Sequence, residues 1–249
     1  MNPASRDATR CQRVIGWVVL AHWLTVVTIK CMQGRAGEVV WLSHLALALT
    51  GLSLVIGRAG LARAVMIAVA VPHLVWLADA LGLLVGGRSP TLITSYLSAA
   101  TAADWVATAH HFYLLPLLWW RVGRGGRLAW RDALGAWLLI ASAVAAGRWV
   151  AGPGDNINYA YYVGCSNVSW LEALHAMPAT AYTAGLLVLA ALVVVLPGST
   201  IVYAVTREPR RMGAVGQSSS TSVNETRSVH ERTPSLSVVN RTIPTPGAR

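Results

Sequence analysis

Charged side chains, phenylalanine and cysteine are all scarce in this chain. Only 12% of its 249 residues are charged, about half the share of a soluble domain, which excludes a mostly water-facing fold. Phenylalanine occurs once, against eleven tryptophans and seven tyrosines. Several tryptophans (Trp41, Trp105, Trp119, Trp120, Trp130, Trp149) fall near the ends of apolar runs, where an indole suits the boundary between lipid and water. The three cysteines, Cys11, Cys31 and Cys165, show no C-x-x-C spacing, which argues against a zinc site. Acidic residues number ten against twenty basic ones, for a net charge of +10. The basic residues lie mostly at the ends of apolar runs and in a tail. They form no soluble patch interleaved with aromatics, which excludes nucleic acid as a partner. No internal repeat is visible, so an inverted-repeat transporter has no support.

What the chain has in quantity is apolar sequence, at 55% hydrophobic. A run of about 17–25 apolar residues spans a bilayer as a helix. Six runs qualify: residues 14–30, 38–56, 61–86, 104–120, 128–150 and 179–206. The predicted fold is therefore all-α, a polytopic bundle of six transmembrane helices over 14–206. Residues 1–13 precede it, and the first run reads as a retained signal-anchor because no small-residue cleavage site follows it. Arginine placement orients the bundle. Arg6, Arg10 and Arg13, then Arg58 and Arg63, then Arg121, Arg124, Arg127 and Arg131, then Arg207, Arg210 and Arg211 all fall on one side if six helices alternate. By the positive-inside rule that side is cytoplasmic, giving N-in and C-in. Residues 207–249, rich in Ser, Thr, Arg, Val and Pro, read as a disordered cytoplasmic tail. Cys31 and Cys165 fall on the outer side, where a disulfide is chemically allowed. The N-x-S/T matches at Asn167, Asn224 and Asn240 are weak, the last two lying in that tail.

Ionisable groups inside these runs are where function is sought, because burial in hydrocarbon is costly. Counting 1.5 Å per residue, His44, Asp79, His110 and His111 all fall roughly 10 Å below the outer surface. His73 and His22 fall deeper. An ionised Asp79 needs a partner at that depth, and a histidine suits it, since the carboxylate fixes the imidazole tautomer. Such a pair serves a general base, a proton relay or a metal site. His110 and His111 point about 100° apart on an ideal helix, so one of them is expected to face the site. Asn156 and Asn158 cap the layer from a loop, and Arg148 at the outer end of the fifth helix either snorkels or holds a phosphate. His175 falls in a loop. Each of these groups also has a purely structural reading, in which it ties helices together.

Three motifs in order carry a resemblance. They are Trp76-Leu77-Ala78-Asp79 followed by Leu84-Val85-Gly86-Gly87, then His111-Phe112-Tyr113-Leu114-Leu115-Pro116-Leu117-Leu118-Trp119-Trp120, then Asn156-Ile157-Asn158-Tyr159. With Leu196-Pro197 they resemble, over residues 65–206, a family of bacterial polytopic membrane proteins whose function is unassigned. The resemblance implies a multi-pass protein of the bacterial plasma membrane. It singles out Asp79, His111, Asn156 and Asn158, with Trp76 and Tyr159 in the same motifs, and passes over His22, His44 and His110. A fainter likeness over the same helices is to transmembrane acyltransferase-like proteins that act on ether phospholipids. Those look to a cysteine and a histidine in their membrane helices. His111 matches the histidine, but the segment that should carry the cysteine reads Ser43-His44-Leu45. The implied chemistry is then direct attack by a substrate hydroxyl, with His111 as general base oriented by Asp79.

Three functional classes follow. The first is a lipid-handling enzyme with His111 and Asp79 catalytic, and with Asn156, Asn158, Arg148, Trp76 and Tyr159 contacting a membrane lipid. The second is a haem protein with His44 and His111 as axial ligands, a role that leaves Asp79 unused. The third is a binding, assembly or proton-conducting protein. No metal ligand set and no cofactor are assigned from the sequence, and the oligomeric state is not legible in it.

Overall fold

The structure of the protein is a computed structural model that describes residues 3–124, 126–162 and 177–207, with side chains from Thr9 onward. All regular structure among the described residues is helical. Helix α1 (Pro3–Met32) leads through a 3-10 turn (Ala36–Val40) into α2 (Leu42–Ile56) and α3 (Ala59–Gly86). A second 3-10 turn (Ser95–Ala99) precedes α4 (Ala102–Thr108) and α5 (His110–Val122). Helix α6 (Trp130–Val150) is followed by a third 3-10 turn (Ile157–Tyr159), and α7 (Ala179–Thr206) comes last. The tail beyond Arg207, His175, Cys165 and the N-x-S/T asparagines lie outside the described residues.

Four helices are long and apolar enough to cross a membrane: Thr9–Met32 of α1, and α3, α6 and α7. Two of the six expected spans take another form. Within 38–56, the regular α-helix has 15 residues, about 22 Å at 1.5 Å per residue, against a hydrocarbon core of about 30 Å. It starts late because Trp41 is non-helical and the Leu42 N–H is taken by the Asn158 side chain. Within 104–120, the run is two helices. The Ala109 N–H bonds the carbonyl three residues back, at Val106, and the chain turns there.

Local sequence explains the other ends. Gly57 and Gly87 close α2 and α3 at φ 74° and 65°, a left-handed conformation that glycine adopts without steric cost. Thr101 and Asp104 start α4 with reciprocal hydrogen bonds. Helix α7 widens into a π turn at Ala191–Val195, just before Pro197, whose missing N–H disturbs the regular ladder.

Helix α3 is the axis of the bundle. In its most apolar window 61% is buried, against 17–28% in the other three membrane-length helices. It packs on α2, α5, α6 and α7, and Val65, Met66, Ile67 and Val69 are fully buried in the core. The neighbours come close through small residues. A Cβ at Gly198 of α7 would lie 2.3 Å from the Ile67 carbonyl oxygen, and one at Gly16 of α1 would lie 2.9 Å from that of Gly51. By contrast, Trp17, Val18 and Leu24 of α1 and Val188 and Leu192 of α7 are exposed.

The connections sort to two ends. At one end Arg63 Nε donates to Asp132 Oδ2 at 2.7 Å, Arg121 donates to the Gly57 carbonyl at 2.8 Å, and Gln12 donates to the Leu54 carbonyl at 2.9 Å. At the other end Lys30 pairs with Glu38 at 2.8 Å, Gln33 donates to Asp104 at 3.1 Å, and Asn158 donates to the Val40 carbonyl at 2.8 Å.

Candidate functional site

Five histidines from four helices meet inside the bundle. His110 lies among them, its ring centre 6.2 Å from His22, 5.3 Å from His44, 6.3 Å from His73 and 4.1 Å from His111. His111 in turn stacks on His73 at 4.8 Å and on Trp76 at 4.2 Å, with planes 24° and 21° apart. His73 and Trp76 are one turn apart on α3, which places them on the same face. His110 and His111 both turn into the cluster, where the sequence reading expects one. The break at Ala109 is the reason: each of the two rings folds back onto a carbonyl three residues earlier, so their directions are set by those carbonyls.

The backbone also fixes the tautomers. A carbonyl can only accept, so a ring nitrogen facing one must carry the proton. Nδ1 of His110 donates to Ala107 O at 2.8 Å, Nδ1 of His111 to Thr108 O at 3.0 Å, and Nδ1 of His44 to Glu38 O at 2.8 Å. The His73 ring faces the Val69 carbonyl. A neutral ring held in this way carries its lone pair on Nε2. His22 is reversed: its Nε2 donates to Val106 O at 2.9 Å, and its Nδ1 accepts from the Tyr113 hydroxyl. Nε2 of His73 and of His110 are buried and meet no hydrogen-bond partner among the described residues. Leaving such a group unmatched costs about 1–3 kcal/mol. One ring nitrogen from each of His73, His110 and His111 lies within 4.8 Å of the other two.

Asp79 is not part of this arrangement. The sequence reading pairs it with His111 as the group that orients a base. In the structure, Oδ2 accepts from the Ser89 hydroxyl at 2.5 Å and from the Thr94 N–H and hydroxyl at 2.8 and 2.7 Å, and Oδ1 accepts from the Thr91 N–H at 2.6 Å. Among the described residues His111 is not one of its partners. The segment after α3 folds back over the helix, close enough that a Cβ at Gly82 would meet Pro90 at 2.8 Å. A carboxylate beneath that fold satisfies the donors of 89–94. Tyr96, just beyond, shares a hydrogen bond with the Thr108 hydroxyl at 3.3 Å and another with the Trp76 side chain. Burial raises the Tyr96 phenol above its ordinary pKa, so it enters the network protonated. Trp76 thus links the returning loop to His111.

The residues expected to contact a lipid are largely engaged in building the loop. Asn158 donates to the carbonyls of Val40 and Ala143 at 2.8 and 2.9 Å and accepts from the Leu42 N–H at 2.7 Å. It clamps α6 to the start of α2, two residues before His44. Asn156 accepts from the N–H groups of Tyr161 and Tyr162 and donates to the Tyr162 carbonyl. Both asparagines have positive φ, a conformation asparagine tolerates better than most residues. Tyr159 meets Trp41 edge to face at 6.2 Å, and its carbonyl accepts from the Tyr182 hydroxyl at 2.7 Å. Arg148 donates to the carbonyls of Ala160 and Ala179 at 2.8 and 3.5 Å and lies over the Tyr161 ring.

The haem reading takes His44 and His111 as axial ligands. The His110 ring packs 5.3 Å from His44 and 4.1 Å from His111, against both of the expected axial ligands. Sequence reasoning names His73, His110, His44 and His22 but does not commit to them. The His73–Trp76 spacing was the available signal for His73. For His22, whose contacts come from another helix, no local signal exists. Comparison with protein-family models, with curated proteins and with solved structures finds no match to this chain.

Proposed function

We propose that the chain is a multi-pass protein of a bacterial plasma membrane, with six crossings and both termini in the cytoplasm, and that its histidine cluster is the site of a lipid-directed enzyme. The sorting of the connections supports the topology. The segments rich in arginine gather at one end of the bundle through Arg63–Asp132, Arg121–Gly57 and Gln12–Leu54. Helix α2 with its 3-10 turn, and α4 with α5, supply the fifth and sixth crossings.

The observation that carries the enzyme reading is the set of backbone-fixed imidazoles with Nε2 lone pairs in an apolar bundle. The reaction class it suits best is acyl transfer: a hydroxyl attacks an acyl ester, an Nε2 lone pair takes up the hydroxyl proton, and the imidazolium returns it to the alkoxide expelled as the old ester C–O bond breaks. Within the stack His111 keeps 8% exposure, against 0% for His110 and 2% for His73, and so is the ring a substrate reaches first. Asp79 has no part in this version of the chemistry.

The test is turnover of acyl-labelled phospholipid with a lysolipid acceptor by the full chain in proteoliposomes. Wild type should form labelled product, and His111→Ala should lower the rate at least about 100-fold, the usual worth of a general base. Equal turnover in both, or none in wild type, sinks the reading. The continuous run of rings from His22 through His110 to His44 and His111 favours a second reading, proton conduction. A pH-sensitive dye inside the same vesicles reports on it directly.

A further inference from the structure

We infer that His73, His110 and His111 together hold one divalent transition-metal ion of the zinc type. Three independent features converge on this. One ring nitrogen from each residue already lies within 4.8 Å of the other two. One nitrogen of each ring faces a backbone carbonyl, at Val69, Ala107 and Thr108, and in His110 and His111 that nitrogen is Nδ1. Metal-ligating histidines are held in this way, because the carbonyl fixes the tautomer and raises the basicity of the ligating nitrogen. Finally, Nε2 of His73 and of His110 are buried and meet no hydrogen-bond donor among the described residues. A cation answers that deficit.

The donor set chooses the class of ion. Neutral imidazoles suit zinc, copper, nickel and iron, whereas calcium and magnesium need oxygen. Asp79, the nearest acidic candidate in the sequence reading, is committed to residues 89–94. The described group contains three histidines and no cysteine. Bond lengths of about 2.0–2.1 Å place tetrahedral ligands about 3.4 Å apart. Binding thus draws the nitrogens together by roughly 1 Å and turns the stacked His73 and His111 rings, whose planes lie 24° apart, until both in-plane lone pairs meet at the ion. Three protein ligands leave the fourth position for an oxygen, the arrangement of catalytic rather than structural zinc. The ion would supply a Lewis acid where the reading above assigns an imidazole lone pair. The inference rests on the geometry of the cluster and not on acyl transfer, so metal content and lipid turnover succeed or fail separately.

The full chain, purified in detergent with a histidine-free affinity tag, is dialysed against Zn²⁺ and in parallel against Co²⁺. Metal per chain is then measured by mass spectrometry. About one ion per chain is expected, with the visible absorption of nitrogen-ligated tetrahedral Co²⁺ and a rise in melting temperature on adding Zn²⁺. His73→Gln and His110→Gln should each weaken binding at least about 100-fold and abolish the thermal shift. A wild type that takes up no Zn²⁺ overturns the site, and so does a His73→Gln/His110→Gln variant that keeps it. If the variants do not fold, the wild-type Co²⁺ spectrum decides: octahedral, oxygen-type bands or none overturn the inference.

Discussion

Asp79 shows how one residue's chemistry reads differently once its neighbours are known. From sequence it is a carboxylate in hydrocarbon in need of a partner, and histidines at the same depth are the evident candidates. The structure supplies the partner locally: four donors from Ser89, Thr91 and Thr94 converge on its two oxygens. Asp79→Asn replaces an acceptor-only group by one that presents an N–H₂ to the Thr91 N–H or, flipped, to the three donors on Oδ2. Hydrogen bonds to a charged group contribute about 1.5–3 kcal/mol each, so Asp79→Asn should destabilise the protein by about 3 kcal/mol. The check is a detergent thermal melt. A drop in melting temperature with the Zn²⁺ shift retained is the expected pattern, and an unchanged melt would refute the anchoring role. The histidines differ from Asp79 in that their local partners are carbonyls, which satisfy one nitrogen and leave the other.

At the scale of the element, helix interruptions do much of the positioning. The break at Ala109 sends two adjacent imidazoles into one cluster. The late start of α2, imposed by Asn158, sets the turn on which His44 rides. Neither follows from hydropathy, since both segments are apolar and continuous. Close helix contacts are decided at this scale too. Gly198 lets α7 reach the backbone of α3, and a Cβ there would sit 2.3 Å from the Ile67 carbonyl oxygen. That obstacle is backbone, so a flexible side chain cannot yield to it. Gly198→Ala should cost about 3 kcal/mol, at the upper end of overpacking penalties. Gly185→Ala on the same helix meets nothing within 4 Å and should be nearly neutral. Parallel melts of the two variants check the contrast.

For the molecule as a whole, the placement of charge and the sorting of connections support one orientation. Arg63, Arg121 and Asp132 gather at one end, and Lys30, Arg35, Glu38 and Asp104 at the other. Cys11 and Cys31 are both exposed, near opposite ends of α1. In single-cysteine variants of otherwise cysteine-free protein, Cys31 should react with an impermeant maleimide in intact cells. Cys11 should react only after the membrane is opened. The reverse pattern would invert the proposed topology, and labelling of both in intact cells would show that α1 does not cross.

The helical class and the four membrane-length apolar helices were legible because they rest on composition and run length, which are local. The positive-inside pattern is likewise a property of the chain read in order. Candidate residues were legible as types, since a histidine or aspartate in an apolar run stands out wherever it lies. Which of them meet was decided only by tertiary structure. His22 joins the site because α1 lies against α4 and α5. Asp79 leaves it because a loop ten to fifteen residues away in sequence folds back to take its oxygens. Partner choice among buried polar groups depends on directions set by backbone breaks and turns, and a periodic pattern does not record those directions.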